Sequence, residues 1–385
     1  MHVVHVNGFV DADLDDPDAL LKRYHTLTSW CGALRAQGAE RVTVVQRFRR
    51  DLVVDRGGIS YVFAADEARG RSPSRAWVSG LVARLGVLGP DVVHLHGLWF
   101  ADVAARVKDA FVGLPVLVQH HAEGPPRLPW RRWRLRRHVR RLDGVLFTSV
   151  AQSDPWRDAG VLPAAVRVFE VPESGANVRP VPVADARART GLSGAPAIVW
   201  VGRLNDNKDP LTVLAGFRLA LQTLAGARLT FVYGAEPALL TDVASQVAGS
   251  AALADTVRLR GSVSHTEVLE ILSAADIFVL GSHREGSGYA LIEAMACGVI
   301  PAVTDIPAFR KLTADGEAGV LWRVGDARAC ADAMVSAARL DRESWRARVR
   351  ARFEAELSWN AVGRRAMDIY RDVVQRATSR AGAGS

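Results

Sequence analysis

SHREGSGYALIEAMACGVIP, residues 282–301, is the stretch from which the fold can be read. It follows a short apolar run, Asp276-Ile277-Phe278-Val279-Leu280, with the length and bounding turn of a buried strand. A loop of Gly and Ser comes next, then a helix-forming sequence from about Tyr289 to Cys297. Gly298 stands where a helix C-cap is expected, and Pro301 prevents continuation. The order is strand, glycine loop, helix. In a parallel α/β sheet it places the N–H groups of Gly286, Ser287 and Gly288 at a helix N-terminus, where an anion is favoured. Two carboxylates bracket the turn, Glu285 in the loop and Glu293 on the helix. Neither binds phosphate, so both are expected to face hydroxyls. A phosphate-friendly helix end flanked by carboxylates points to a nucleotide sugar.

At 385 residues the chain exceeds one ordinary core, which predicts two domains. No stretch approaches the roughly 18–20 apolar residues that cross a bilayer. The opening MHVVHVNGFV lacks the basic region and cleavage site of a signal peptide and reads as a first strand. Cys31, Cys297 and Cys330 have neither metal-like nor disulfide-like spacing, so they are expected to be reduced and the protein cytoplasmic. The net charge of +8 is carried almost wholly by arginine and favours anionic partners: nucleotide sugars or a membrane surface. Nucleic acid is disfavoured, because no zinc-finger, RRM or helix-turn-helix signature is present.

Strands and helices alternate in both halves. Val3–Val6, Val42–Val45, Ile59–Phe63, Asp91–His96, Pro115–Gln119, Val145–Ser149 and Val166–Phe169 read as strands of the first half. A helix is predicted from about Asp18 to Gln37, behind an acidic loop with Asp11, Asp13, Asp15 and Asp16. That loop lacks the glycine and glutamate of a calcium-binding register, so it reads as a solvated helix start. Prolines 172, 180, 182 and 196 mark the linker. The expected division is 1–175, completed by helix 360–377, and 176–359, with 378–385 a disordered tail. The fold class is therefore α/β, two doubly wound Rossmann-like domains facing across a cleft.

Three further features bear on function. In Val201-Gly202-Arg203-Leu204-Asn205-Asp206-Asn207-Lys208-Asp209-Pro210 a strand end is followed by two cations and a helix begun by proline, a set suited to a diphosphate. His94, His120 and His121 fall at strand C-termini, where open α/β sheets bind ligands; His94 reads as a hydrogen-bonded structural histidine. Trp130–Arg141, WRRWRLRRHVRR, has seven arginines and no acid. Two readings stand level: a membrane-surface helix carrying tryptophans, or a domain helix whose arginines are solvated.

Together VGRLNDNK and the EGSG…EAMACG stretch closely resemble the family 4 retaining glycosyltransferases of GT-B architecture, with their VGRL…K loop and E-x7-E motif. The resemblance extends through ADIFVLGS, TDIPAFRKL and GEAGVLWRVGD, is strongest over about 197–326, and is recognisable in DVVHLHGLW. It implies that Arg203 and Lys208 hold the donor diphosphate and Glu293 the ribose. Glu285 would contact the transferred sugar, beside the amides of Gly286, Ser287 and Gly288. It also implies a histidine near that sugar, His121, with His120 the alternative register, and base contacts around Arg260. Gly8 stands alone where many members have a glycine pair near the donor phosphate. Ser287 replaces the usual aromatic.

The resemblance implies a hexosyltransferase-type enzyme that needs no metal or other cofactor. It would move sugar from a nucleoside-diphosphate sugar to a hydroxyl acceptor in glycan, glycolipid or glycoconjugate synthesis. The expected chemistry is front-face substitution with retention. The basic segment predicts a lipid-linked acceptor and peripheral contact with the inner face of the membrane. Two alternatives stand beside this: a GT-B nucleotide-sugar 2-epimerase, and a non-catalytic nucleotide-sugar-binding subunit.

Overall fold

The computed structural model describes every residue except Ala12, Arg69, Arg71, Ala122, Ala235, Glu236, Gly384 and Ser385, with the side chains of residues 237, 238 and 381–383 also left aside. The chain divides into two compact units, one of Met1–Gly175 with Trp359–Ser385 and one of Ala176–Ser358.

Unit 1 opens with β1 (His2–Asn7), α1 (Pro17–Arg23), α2 (His25–Ala36), β2 (Arg41–Phe48), β3 (Leu52–Arg56) and β4 (Ile59–Ala65). It continues with α3 (Arg75–Leu88), β5 (Val92–His96), α4 (Ala101–Ala110), β6 (Val116–Gln119), α5 (Pro129–Val139), β7 (Gly144–Phe147), α6 (Asp154–Asp158) and β8 (Val168–Glu170). The sheet order is β3-β4-β2-β1-β5-β6-β7-β8, parallel throughout except for β3 against β4. Runs such as VVHLH and VLVQ are apolar on both faces because both are covered. One face packs on α2 and the C-terminal helix through Trp30, Leu34, Met367 and Tyr370; the other packs on α3, α4 and α5 through Trp77, Val107 and Val139.

Unit 2 runs α7 (Val183–Thr190), β9 (Ala197–Arg203), α8 (Pro210–Ala220), β10 (Arg228–Gly234), α9 (Pro237–Ala248), α10 (Ala251–Thr256), β11 (Val257–Leu259) and α11 (His265–Ala274). After these come β12 (Ile277–Leu280), α12 (Tyr289–Ala296), β13 (Ile300–Thr304), α13 (Pro307–Thr313), β14 (Val320–Trp322), α14 (Ala327–Arg339) and α15 (Arg342–Arg352). Its order, β11-β10-β9-β12-β13-β14, is that of a doubly wound sheet. The last helix, α16 (Trp359–Ala383), returns to unit 1.

Two expectations need correction. The predicted helix 18–37 is two helices broken at Tyr24, whose hydroxyl donates to Asp11 at 2.8 Å. The acidic loop does start the first of them: Asp16 accepts from Ala19 N, and Pro17 takes the first position. The predicted disordered tail is helical through Ala383, since its Ala and Arg are good helix formers; Gly384 and Ser385 lie outside the described residues.

Candidate functional site

In a doubly wound sheet the loops at the reversal of strand order open outside the strand C-termini, and there they can hold a ligand. In unit 2 the reversal lies between β9 and β12. The two loops at that point are the two singled out by sequence, one with Arg203 and Lys208, the other with Glu285 to Gly288. The structure ties them together. Lys208 Nζ pairs with Glu285 Oε1, which also accepts from Ser282 Oγ at 2.7 Å. His283 N donates to Asn207 O at 2.8 Å, and Asn207 Nδ2 donates to Arg284 O at 3.0 Å. A side chain at Gly281 would press on Asp209 O at 3.0 Å, so a glycine there is what lets the loops touch.

Arg203 is exposed and its guanidinium has no partner among the described residues. Lys208 and Glu285 are largely covered, their side chains 19% and 11% exposed. Gly288 caps α12 with φ +65, a left-handed conformation, and a Cβ there would lie 2.8 Å from Leu312 Cδ1. Glycine is thus required on both backbone and steric grounds. Gly288, the N-cap of α12, has no side chain to cap the helix, and the N-terminal end of the helix dipole favours an anion.

Glu293, in the middle of α12, accepts from His265 Nε2 at 2.6 Å. That hydrogen bond raises the imidazole pKa, since it favours the charged ring. His265 opens α11 behind Ser264, which caps Glu267 N. Sequence reasoning did not single it out; its place at the first helical position after a capping serine was the available signal. Arg260 does not reach the loops with its side chain. It donates to Thr190 O at 2.6 Å and to Glu267 Oε1 at 2.9 Å, leaving only its backbone for a base contact.

In unit 1 the reversal falls between β1 and β5. Gly8 and Gly97 end those strands, and the Phe100 ring closes over both. Gly8 O accepts from the fully buried Arg47 at 3.3 Å, whose charge is met by Asp66 at 2.6 Å. Beside them lies a file of imidazoles. His121 Nδ1 pairs with Glu173, His121 Nε2 lies 3.2 Å from His96 Nδ1, and His96 Nε2 lies 2.9 Å from His5 Nδ1. Burial opposes charge on His121, but the Glu173 carboxylate, with Glu123 behind it, prevails and raises its pKa. A doubly protonated His121 donates to His96 Nδ1; His96 then donates from Nε2 to His5. His5 is pushed down to about 3 by burial, and His94 and His96 are also lowered by burial and by their neighbours.

His94 is structural: its Nδ1 meets Tyr370 OH at 2.6 Å. His120, the alternative register, is buried against Phe147 and Trp156, with Nε2 on Glu123 O at 2.7 Å. Of the pair, His121 is the more open, 32% exposed. Glu123 accepts from both His121 N and Leu98 N and so fixes the two strand ends; neither it nor Glu173 was singled out from sequence. Among the described residues, ring nitrogens of His5, His94 and His96 lie within 4.8 Å of one another, a metal-type cluster by composition. Yet His94 and His96 stack at 17° and 4.7 Å. Stacked rings direct their lone pairs side by side rather than towards one ion at the roughly 2.0–2.1 Å a zinc–imidazole bond demands.

The basic segment forms α5, with Leu135 and Val139 buried and Trp130 and Trp133 exposed by 57% and 61%. Arg131 and Arg137 lie over those two rings at 5.1 and 4.9 Å. Among the described residues no helix is long and apolar enough to cross a membrane.

Residues 195–339 match the model of the glycosyl transferases group 1, and residues 18–170 that of glycosyltransferase family 4. Similar curated proteins include the GDP-mannose:cellobiosyl-diphosphopolyprenol alpha-mannosyltransferase of Xanthomonas oryzae, 28% identical over 63% of this chain and 63% of that one. The D-inositol 3-phosphate glycosyltransferase of Thermobispora bispora is 30% identical over 51% of this chain and 48% of its own. The chain thus covers less than two thirds of either relative's length. Among solved structures, sucrose-phosphate synthase from Thermosynechococcus elongatus superposes with a TM-score of 0.71 at 21% identity, over 98% of this chain and 100% of that one. HepE of Anabaena, solved with UDP and glucose, gives 0.68 at 14% identity, over 97% and 100%. These likenesses identify the fold as GT-B.

Proposed function

The chain belongs to glycosyltransferase family 4, and from that premise we propose that it transfers a sugar from a nucleoside-diphosphate sugar to a hydroxyl acceptor, with retention at the anomeric carbon. The observation that carries this reading is the Lys208–Glu285 pair across the order reversal of unit 2, beside the glycine start of α12 and the exposed Arg203, which has no partner among the described residues. Arg203 and Lys208 take the diphosphate, Glu285 the transferred sugar and Glu293 the ribose. Within unit 1, His121 is read as an imidazolium held by Glu173.

Charge gathers on the diphosphate as the glycosidic bond breaks. Arg203, Lys208 and the α12 amides are placed before the reaction, so they stabilise that charge without reorganising. These cations also do the work of a divalent ion, and the transfer is read as metal-independent. The leaving phosphate is read as accepting the acceptor's proton as the new bond forms on the same face.

The acceptor is read as lipid-linked, used at the cytoplasmic face of a membrane. Support comes from the diphosphopolyprenol in the name of the Xanthomonas relative and from the exposed tryptophans and arginines of α5. Sedimentation with anionic vesicles tests the contact: Trp130→Ala with Trp133→Ala should reduce pelleting, and equal pelleting removes α5 from the reading.

The function is tested by a thermal-shift screen of nucleotide sugars, followed by incubation of the stabilising donor with and without acceptors. Sugar appearing on an acceptor with its anomeric configuration retained supports transfer. A donor sugar epimerised without any acceptor, or binding without turnover across an acceptor panel, overturns it.

A further inference from the structure

Unit 1 holds a cationic cavity of about 290 Å3 at the opposite end of its strands from the histidines. Six cations line it: Lys108 on α4, Arg140 and Arg141 after α5, Arg167 just before β8, and Arg376 and Arg380 on α16. It lies at the N-terminal ends of β7 and β8, whereas His96 and His121 lie at the C-terminal ends of β5 and β6. In a parallel sheet these are opposite edges.

Charge balance within the cavity is incomplete. Lys108 meets Asp143 at 2.9 Å, and Arg141 meets Asp109. Arg167 and Arg376 share one carboxylate, Asp372, at 2.6 and 2.9 Å. The side chains of Arg140 and Arg380 line the same cavity with no ion-pair or hydrogen-bond partner among the described residues. Exposed arginines on a flat surface are simply solvated. In a concave site, low-dielectric walls focus the field of like charges, and an anion is drawn in. Guanidinium forks match phosphate oxygens two at a time. The volume is just under the roughly 300–1,000 Å3 of pockets for drug-sized ligands, which suits a phosphate-bearing headgroup better than a whole nucleotide sugar.

We propose that this cavity is a phosphate-binding site in which Arg140 and Arg380 are the unpaired cations that grip the anion. Its source is either a free phosphate compound or a lipid headgroup. An apolar groove of about 650 Å3, with Phe111, Val112 and Leu114 on its wall, adjoins the cavity at Ala377, which lines both. A headgroup in the first would leave its chain beside the second.

The test uses the full-length protein, melted in inorganic phosphate and in sodium chloride at matched ionic strength. Because the donor loops also attract phosphate, Arg203→Gln is run beside the pair Arg140→Gln with Arg380→Gln. Wild type and Arg203→Gln should both gain Tm in phosphate, and the Arg140/Arg380 pair should lose most of that gain. Replacement of both by lysine, which keeps the charge, should restore part of it. Cooperative melting of each variant in chloride shows that it has folded; both side chains are unpaired, so that is the expected result. Vesicles of phosphatidylglycerol and of phosphatidylcholine separate the two sources. With a lipid source, pelleting on phosphatidylglycerol falls about tenfold in the glutamine pair and is competed by phosphate, although Trp130 and Trp133 are intact. With a free source, pelleting is unaltered while the phosphate-dependent gain is still lost. An equal gain in wild type and the glutamine pair overturns the proposal, as does no gain in either.

Discussion

Lys208 and Glu285 are 77 residues apart and meet because β9 and β12, on either side of the order reversal in unit 2, deliver their loops to one place. Neither charge is free in water, with exposures of 19% and 11%. Under the proposed function Lys208→Ala therefore removes a cation from the diphosphate, and it strips a covered carboxylate of its ion-pair partner. A loss of about 100- to 1,000-fold in kcat/KM is expected, the usual result of deleting one preorganised donor. Stability should fall by about 1–3 kcal/mol for the half-paired carboxylate. Adding Glu285→Gln should recover part of the stability and none of the turnover. Urea unfolding and steady-state kinetics on the four proteins of the cycle check both statements; strictly additive losses would show the pair to be uncoupled.

Gly288 fixes where α12 begins. Its φ of +65 and the 2.8 Å approach of Leu312 Cδ1 to any Cβ act in the same direction. Gly288→Ala should cost about 1–3 kcal/mol from backbone strain, with the helix start displaced to relieve the clash. Donor binding should weaken with it, read as a smaller donor-induced rise in Tm. Full retention of both would mean that the amides of α12 are not part of the site.

The signals legible in the sequence were local. Strand-glycine-helix order, Pro210 at a helix start and cations within one loop are carried by neighbouring residues, so Arg203, Lys208 and the Gly286–Gly288 loop were readable. His265 on Glu293 and Glu173 on His121 join positions 28 and 52 residues apart, and no local pattern marks such pairs. The same holds for Arg346, which donates to Ala275 O and Cys297 O and so closes the ends of α11 and α12. The edge strand β3 was missed for a different reason. Its charged LVVDR pattern hides an apolar alternation, yet Gly57-Gly58 before Ile59 is a two-residue hairpin signal. The break at Tyr24 has neither Gly nor Pro and arises from the tertiary bond to Asp11.

Glu173 determines how His121 titrates. Burial lowers the pKa of that ring, and the adjacent carboxylate more than reverses the effect. Glu173→Gln removes the charge while keeping a hydrogen-bonding group, so the His121 pKa should fall. If His121 acts as an imidazolium, the alkaline limb of the kcat/KM profile should move to lower pH in the variant, with the acid limb unmoved. An alkaline limb in the same place would assign it to another group. Since a raised histidine pKa stabilises the fold below about 6.5 and ceases to do so as pH rises through the folded value, the variant should also lose stability chiefly on the acid side of that value.

His5 should behave in the opposite sense. It is 0% exposed and its pKa is pushed down to about 3, so the native state refuses a proton that the unfolded chain takes up below about 6.5. Its contribution to stability is whole above that value and is lost as pH falls towards the folded pKa, the reverse of His121. His94 and His96, also lowered, add to the same loss. His5→Leu should therefore flatten the fall in unfolding free energy between about pH 6.5 and 5 by up to one proton, or about 1.4 kcal/mol per pH unit. At neutral pH the variant should be the less stable by about 1–3 kcal/mol, because His96 Nε2 loses the His5 ring as its partner. The two curves are thus expected to converge as the solution is acidified. Urea titrations at a series of pH values measure this directly, and parallel curves would mean that His5 is already protonated in the native state and that the imidazole file is charged at its buried end.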